Sequence, residues 1–210
     1  GRGMSLAQRA KERLRKEFEE QCLVLTEARE FRVEERSSDG AAEVVLELEQ
    51  PRECLCFQAE PQGGTRWFQY VGTQKCADGS LLVPTTGGGY IAHIVECKAT
   101  LDSSKWVDVK LQFAGALLRL HGVAAALDLR IENVKCYTAF RKSRLVDPRN
   151  VVSRHAMLGG RTPPADALAD HAKASADLRW FGRTVHKDVP LVVEQQNGRD
   201  VGRARLAIGD

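Results

Sequence analysis

The chain has 210 residues, of which 43% are hydrophobic and 28% charged, with a formal net charge of +3. This is enough apolar material for a real core and argues against wholesale disorder, and no apolar run approaches the ~20 residues of a membrane span. The charge is uneven: residues 1–105 carry 14 basic and 17 acidic side chains, while residues 106–210 carry 17 basic and 11 acidic. The second half is therefore suited to a polyanionic partner without proving one.

No signal-peptide pattern opens the chain, so the expected location is cytoplasmic, with no membrane association. Cys22, Cys54, Cys56, Cys76, Cys97 and Cys136 show no zinc-knuckle spacing and read as reduced, mostly core thiols.

Taken in order, Leu6 to Leu25 has apolar residues at spacings of three and four and reads as an amphipathic helix, whose acids Glu12, Glu17, Glu19 and Glu20 form a solvated face. From Phe31 to Phe57 the period drops to two. Strands at Phe31–Glu34 and Val44–Glu49 flank a Ser-Ser-Asp-Gly turn, Pro51 is expected to end the second, and Cys54–Phe57 forms a further short one. Trp67–Val71 reads as another strand. Ala77-Asp78-Gly79-Ser80 is a turn signature, followed by an apolar Leu81–Pro84, a glycine-rich hairpin turn at 85–89 and the strand Tyr90–Lys98.

Asp102-Ser103-Ser104 resembles a helix N-cap, and the helix after it carries Trp106, Val109, Phe113, Leu117 and Leu120 on one stripe, ending at His121-Gly122. Ala124–Ile131 and Val134–Phe140 read as strands, so a strand-helix-strand crossover is expected. Arg141-Lys142-Ser143-Arg144 begins a basic connector that continues through Arg149, Arg154 and His155, and Gly159–Pro164 is the best linker candidate. Ala165–Phe181 has helical composition, and Val189–Ile208 alternates like a hairpin around Asn197-Gly198. The expected organisation is a core over 1–145, a connector over 146–164, and a C-terminal extension or small module over 165–210.

The chemistry concentrates in Tyr90–Lys98. Positions i and i+2 of a strand share a face, so Glu96 and Lys98 project together from the end of an apolar run. An ordinary surface ion pair is one explanation. The other is a metal-dependent hydrolytic site in which Glu96 ligates a divalent cation and Lys98 steadies the attacking water or the phosphate. His93 alternates onto the opposite face and reads as a packed core histidine, His121 as a helix-end residue favourable to the dipole, and His155, His171 and His186 as too dispersed for ligand spacing.

Asp78, an 18-residue gap, Glu96-Cys97-Lys98 closing an apolar strand, a helix bearing Gln112 and then a strand together resemble the PD-(D/E)XK nuclease superfamily. The resemblance covers residues 1 to about 140, and among its members this arrangement is most similar to end-cleaving transposition nucleases of the TnsA kind, with toxins and effectors of bacterial competition close behind. It implies an α+β fold, a mixed central sheet flanked by helices with a restriction-endonuclease-like core. It also implies Mg²⁺ or Mn²⁺ held by Asp78 and Glu96, catalysis with Lys98 and Gln112, and DNA as substrate. Lys105, Lys110, Arg141, Lys142 and Arg144 would bind backbone phosphates. Two alignments of the acidic position stand open: Asp78, or Gly72, in which case the metal carboxylate is missing. The inactive alternative is a nucleic-acid-binding or protein-interaction and assembly module on the same fold; in either case a protein partner or a homodimer is open.

Overall fold

The computed structural model describes residues 4–14, 22–37, 40–58, 75–145 and 165–209. Trp67–Val71, Gly72, Gly159–Pro164, Arg149, Arg154, His155 and the acids Glu17, Glu19 and Glu20 lie outside these residues. The fold is mixed α/β, a large mixed sheet with a few helices. Helices α1 (Leu6–Arg13), α2 (Ser103–Ala126) and α3 (Ala165–Ala172) accompany strands β1 (Cys22–Ser37), β2 (Gly40–Gln58), β3 (Gly79–Pro84), β4 (Tyr90–Leu101), β5 (Ile131–Ser143), β6 (Ser175–Leu178), β7 (Gly182–Pro190), β8 (Val192–Gln196) and β9 (Arg199–Ile208). One sheet runs β6-β7-β5-β4-β3-β2-β9-β8, with β1 paired to β2. The C-terminal strands thus join the same sheet as the rest: β7 pairs with β5, and β9 with β2, both in parallel.

Each face of the sheet carries its own core. On one, Leu55, Phe57, Leu82, Ala92, Ile94 and Cys136 meet Leu6 and Ala10 of α1, the Trp106–Val123 stripe of α2, and Ala167 of α3. On the other, Leu81, Val83, Val95, Cys97, Tyr137 and Ala139 meet Phe31, Val33, Val44 and Leu46 from the long β1–β2 hairpin, together with Ile208 of β9. The strand periodicity of two explains the division, because Glu96 shares the parity of Ala92 and Ile94 and therefore faces α2.

The hairpin folds over because β2 changes partners along its length. Ala41–Leu48 pair with β9 and Leu55–Gln58 with β3. Pro51, expected to end the strand, lies in the stretch between, where the β1–β2 register shifts around Ala28. Proline has no N–H to give a ladder and is tolerated at such a bulge, where it bends the strand instead of stopping it.

Three other expectations are corrected. The helix from Leu6 closes at Arg13, and Val24 and Leu25 belong to β1, paired with Leu55 and Cys54. Helix α2 does not stop at His121-Gly122 but runs to Ala126, so 124–126 are helical and β5 starts only at Ile131. A glycine inside a helix costs about 1 kcal/mol, which the burial of Leu120, Val123 and Leu127 offsets. The helical composition after Ala165 is realised only to Ala172, and Ser175–Leu178 pairs with β7.

The crossover expected between Tyr90 and Phe140 is present, with β4 and β5 parallel in register and α2 between them, N-capped by Asp102, whose side chain accepts from the Lys105 N–H. The Asn197-Gly198 hairpin is present too: Gln196 faces Arg199, and both loop residues have positive φ (52° and 75°), as a two-residue primed turn requires.

Candidate functional site

Asp78 stands immediately before β3, and the register Gly79↔Val95 carries it alongside Glu96 at the end of β4. The Cys97 N–H donates to Asp78 Oδ2 at 2.7 Å. Lys98 Nζ donates to Glu96 Oε1 and also acts electrostatically on Asp78. The structure therefore brings Asp78, Glu96 and Lys98 into one corner.

Two glycines make that corner possible. A Cβ on Gly115 of α2 would come within 1.8 Å of the Lys75 carbonyl oxygen, so the segment leading to Asp78 lies directly on the helix backbone. Arg119 is buried, and its Nη1 donates to the carbonyls of Lys75 and Gly115. On the other side, a Cβ on Gly79 would meet the Val33 side chain at 2.6 Å, so β1 closes down on the residue next to Asp78.

The electrostatics are unusual for carboxylates. Glu96 is 1% exposed, and burial, followed by the neighbouring Asp78, pushes its pKa up to about 8 despite the Lys98 contact. Burial likewise raises Asp78 to about 6, with Glu35 of β1 adding to the rise and the Cys97 N–H and Lys98 opposing it. Glu96 Oε2 is buried with no hydrogen-bond partner among the described residues. A buried acid and a half-buried one that repel each other, the first with a lone-pair oxygen unmet, form a site whose charge is relieved by a proton or a cation. Their hard oxygen donors suit Mg²⁺ or Mn²⁺.

The remaining sequence candidates are spread more widely. Gln112 is half-buried on α2 between Phe113 and the Val109 turn, and no hydrogen bond joins it to the carboxylates among the described residues. Lys105 is exposed in the first turn of α2, whereas Lys110 is turned to Asp170, 3.1 Å from Oδ2. Lys142 and Arg144 are exposed at the end of β5, and Lys142 has the parity of Thr138 and so shares the face of Glu96. Arg141 has the other parity and donates to the Asp200 carbonyl at 3.3 Å. His93 is the packed core histidine expected, fully buried opposite Glu96 with Nδ1 2.9 Å from the Tyr137 hydroxyl.

A second polar cluster went unread in the sequence. His171 of α3 and His186 and Asp188 of β7 place ligand-type atoms within 4.8 Å of one another. His171 Nδ1 lies 2.8 Å from Asp188 Oδ2, and His186 Nε2 lies 2.9 Å from Thr138 Oγ1 and 3.8 Å from Asp188 Oδ1. The indole of Trp106 packs against both imidazoles and donates to Asp170 at 2.9 Å. This cluster is in line with the first: Glu96 pairs with Thr138, and Thr138 with Asp188, so the three form a row across β4, β5 and β7 on the face of α2. The signal was available in His186-x-Asp188, the same i, i+2 relation that drew attention to Glu96 and Lys98. His171 could join it only through the packing of α3.

Comparison of the chain with family models, with curated proteins and with solved structures returns no match to any of them.

Proposed function

We propose that the chain is a Mg²⁺- or Mn²⁺-dependent nuclease of the restriction-endonuclease-like kind, cleaving DNA phosphodiesters at the Asp78-Glu96-Lys98 corner. The observation that carries this reading is the convergence itself: two carboxylates meet at the mouth of a buried strand, Glu96 Oε2 has no donor among the described residues, and a lysine stands beside them. An incidental surface ion pair would not be 1% exposed on its acidic side.

Asp78 and Glu96 would hold the ion. When bound, it supplies polarisation of the phosphodiester and a lowered pKa for water. Lys98 Nζ, at 22% side-chain exposure, reaches from the buried carboxylate toward solvent, where it can orient a water or meet charge developing on phosphate. The Asp78–Cys97 hydrogen bond fixes the first carboxylate against the backbone of the Glu-x-Lys strand, so the geometry is set before substrate arrives. Lys105, Lys142 and Arg144 would contribute sequence-independent phosphate contacts, and transposition-type end cleavage is the subfamily role the arrangement fits best.

The test is nicking of a supercoiled plasmid with Mg²⁺, Mn²⁺ or EDTA, comparing the native chain with Glu96→Ala, Asp78→Ala and Lys98→Ala. Metal-dependent cleavage lost in all three variants supports the reading. DNA binding without cleavage in the native chain contradicts it and leaves a binding module.

A further inference from the structure

From the geometry of the second cluster we infer that His171, His186 and Asp188 form a binding site for one imidazole-preferring divalent transition-metal ion, of which Zn²⁺ is the type, and that this ion fastens α3 to the sheet. The site is separate from the carboxylate corner, and the inference stands whether or not the chain is a nuclease.

The donor set is two imidazoles and a carboxylate, which suits zinc-like ions and is a poor match for the all-oxygen preference of Mg²⁺. The ligands come from different elements, His171 from α3 and His186 and Asp188 from β7, so an ion would cross-link them. The surroundings hold the rings ready: the Trp106 ring lies 4.3 Å from His171 and 4.8 Å from His186, centroid to centroid. Two further atoms are poorly served as the cluster stands, for His171 Nε2 and Asp188 Oδ1 are both buried with no hydrogen-bond partner among the described residues. His186 is 1% exposed, while the Asp188 side chain is 35% exposed, which provides a route from solvent.

Zn–N and Zn–O bonds of about 2.0–2.2 Å place neighbouring tetrahedral ligands about 3.4 Å apart. The present separations reach 4.8 Å, so loading draws the three side chains together by about an ångström, exchanging the His171–Asp188 hydrogen bond for metal bonds. Adjacent strands are about 4.8 Å apart, so Glu96 and Asp188 are about 10 Å apart across β5. That exceeds the ~4 Å of a two-metal phosphoryl site, so this ion and one held at the carboxylate corner do not act as a two-metal pair.

The experiment uses the full chain, stripped with chelator and dialysed, titrated with Zn²⁺ against a background of tenfold excess Mg²⁺, with Co²⁺ absorption in a parallel titration as a reporter of nitrogen ligation. Variants are His171→Gln and Asp188→Asn, neither of which removes the most buried imidazole, with Glu96→Gln as the control at the other site; circular dichroism establishes that each is folded. The expected result is one equivalent of Zn²⁺ bound by the native chain and by Glu96→Gln. His171→Gln and Asp188→Asn should bind it more than about 100-fold more weakly, beyond the 10–100-fold typical of losing a supporting residue. Hydrogen exchange of α3 should slow on loading. Absence of a stoichiometric Zn²⁺ equivalent in the folded native chain overturns the inference, as does binding that survives both variants or is abolished by Glu96→Gln.

Discussion

Replacing Glu96 by Gln should make the metal-free protein more stable, and by an amount that depends on pH. Glu96 is raised from its ordinary value near 4.5 to about 8 in the folded chain. Between those values the folded state holds a proton that the unfolded state has released, so stability falls as pH rises through this window and stops falling above about 8. Each pKa unit corresponds to about 1.4 kcal/mol, which gives a penalty of about 4 kcal/mol at pH 8 and close to none at pH 4.5. Gln has the shape of the protonated acid and does not titrate. Urea unfolding of Glu96→Gln and the native chain in EDTA should therefore coincide within ~0.5 kcal/mol near pH 4.5, with the variant gaining about 4 kcal/mol by pH 8. Adding Mg²⁺ should restore the native chain by mass action and leave the variant unmoved. A variant less stable than the native chain at pH 8, or a difference that does not change with pH, would refute the picture of a strained, buried carboxylate.

Other consequences follow from particular contacts. Gly115→Ala forces a methyl group onto the Lys75 carbonyl and should cost about 1–3 kcal/mol in urea unfolding while weakening Mg²⁺ binding, since the displaced segment leads to Asp78. Asp170→Ala leaves the Trp106 indole N–H and Lys110 without their buried acceptor and should destabilise by about 2–4 kcal/mol in the same assay. Lys142→Ala and Arg144→Ala should each lower the slope of log affinity against log salt by about 1 in DNA-binding titrations, without changing sequence preference. Asp102→Ala removes the N-cap of α2 and should cost about 1 kcal/mol by thermal unfolding.

The parts of the fold set by local chemistry were legible from residues alone. Asn197-Gly198 can adopt paired positive φ, so the hairpin there follows from its turn; the apolar run into Glu96-x-Lys98, capped by Asp102, is likewise a strand followed by a helix. What sequence could not carry was set at long range. Pro51 reads as a stop until β9 and β3 claim opposite ends of one strand, and Gly122 reads as a helix end until Val123 and Leu127 are seen to be buried. For the same reason His171 and His186 looked dispersed, because only the packing of α3 against β7 closes the 17 positions between His171 and Asp188. Asp78 was legible as a candidate and ambiguous in alignment; the β3–β4 register is what places it beside Glu96.

The central claim is that Asp78 and Glu96 are a metal-binding pair, and the most direct measurement is anomalous diffraction from crystals soaked in Mn²⁺ at a pH above 8, where Glu96 has lost its proton. The account predicts one Mn²⁺ peak within bonding distance, about 2.0–2.4 Å, of oxygens from both carboxylates, absent in Asp78→Ala crystals. Well-ordered Asp78 and Glu96 side chains with no anomalous peak between them, at saturating Mn²⁺, would contradict it.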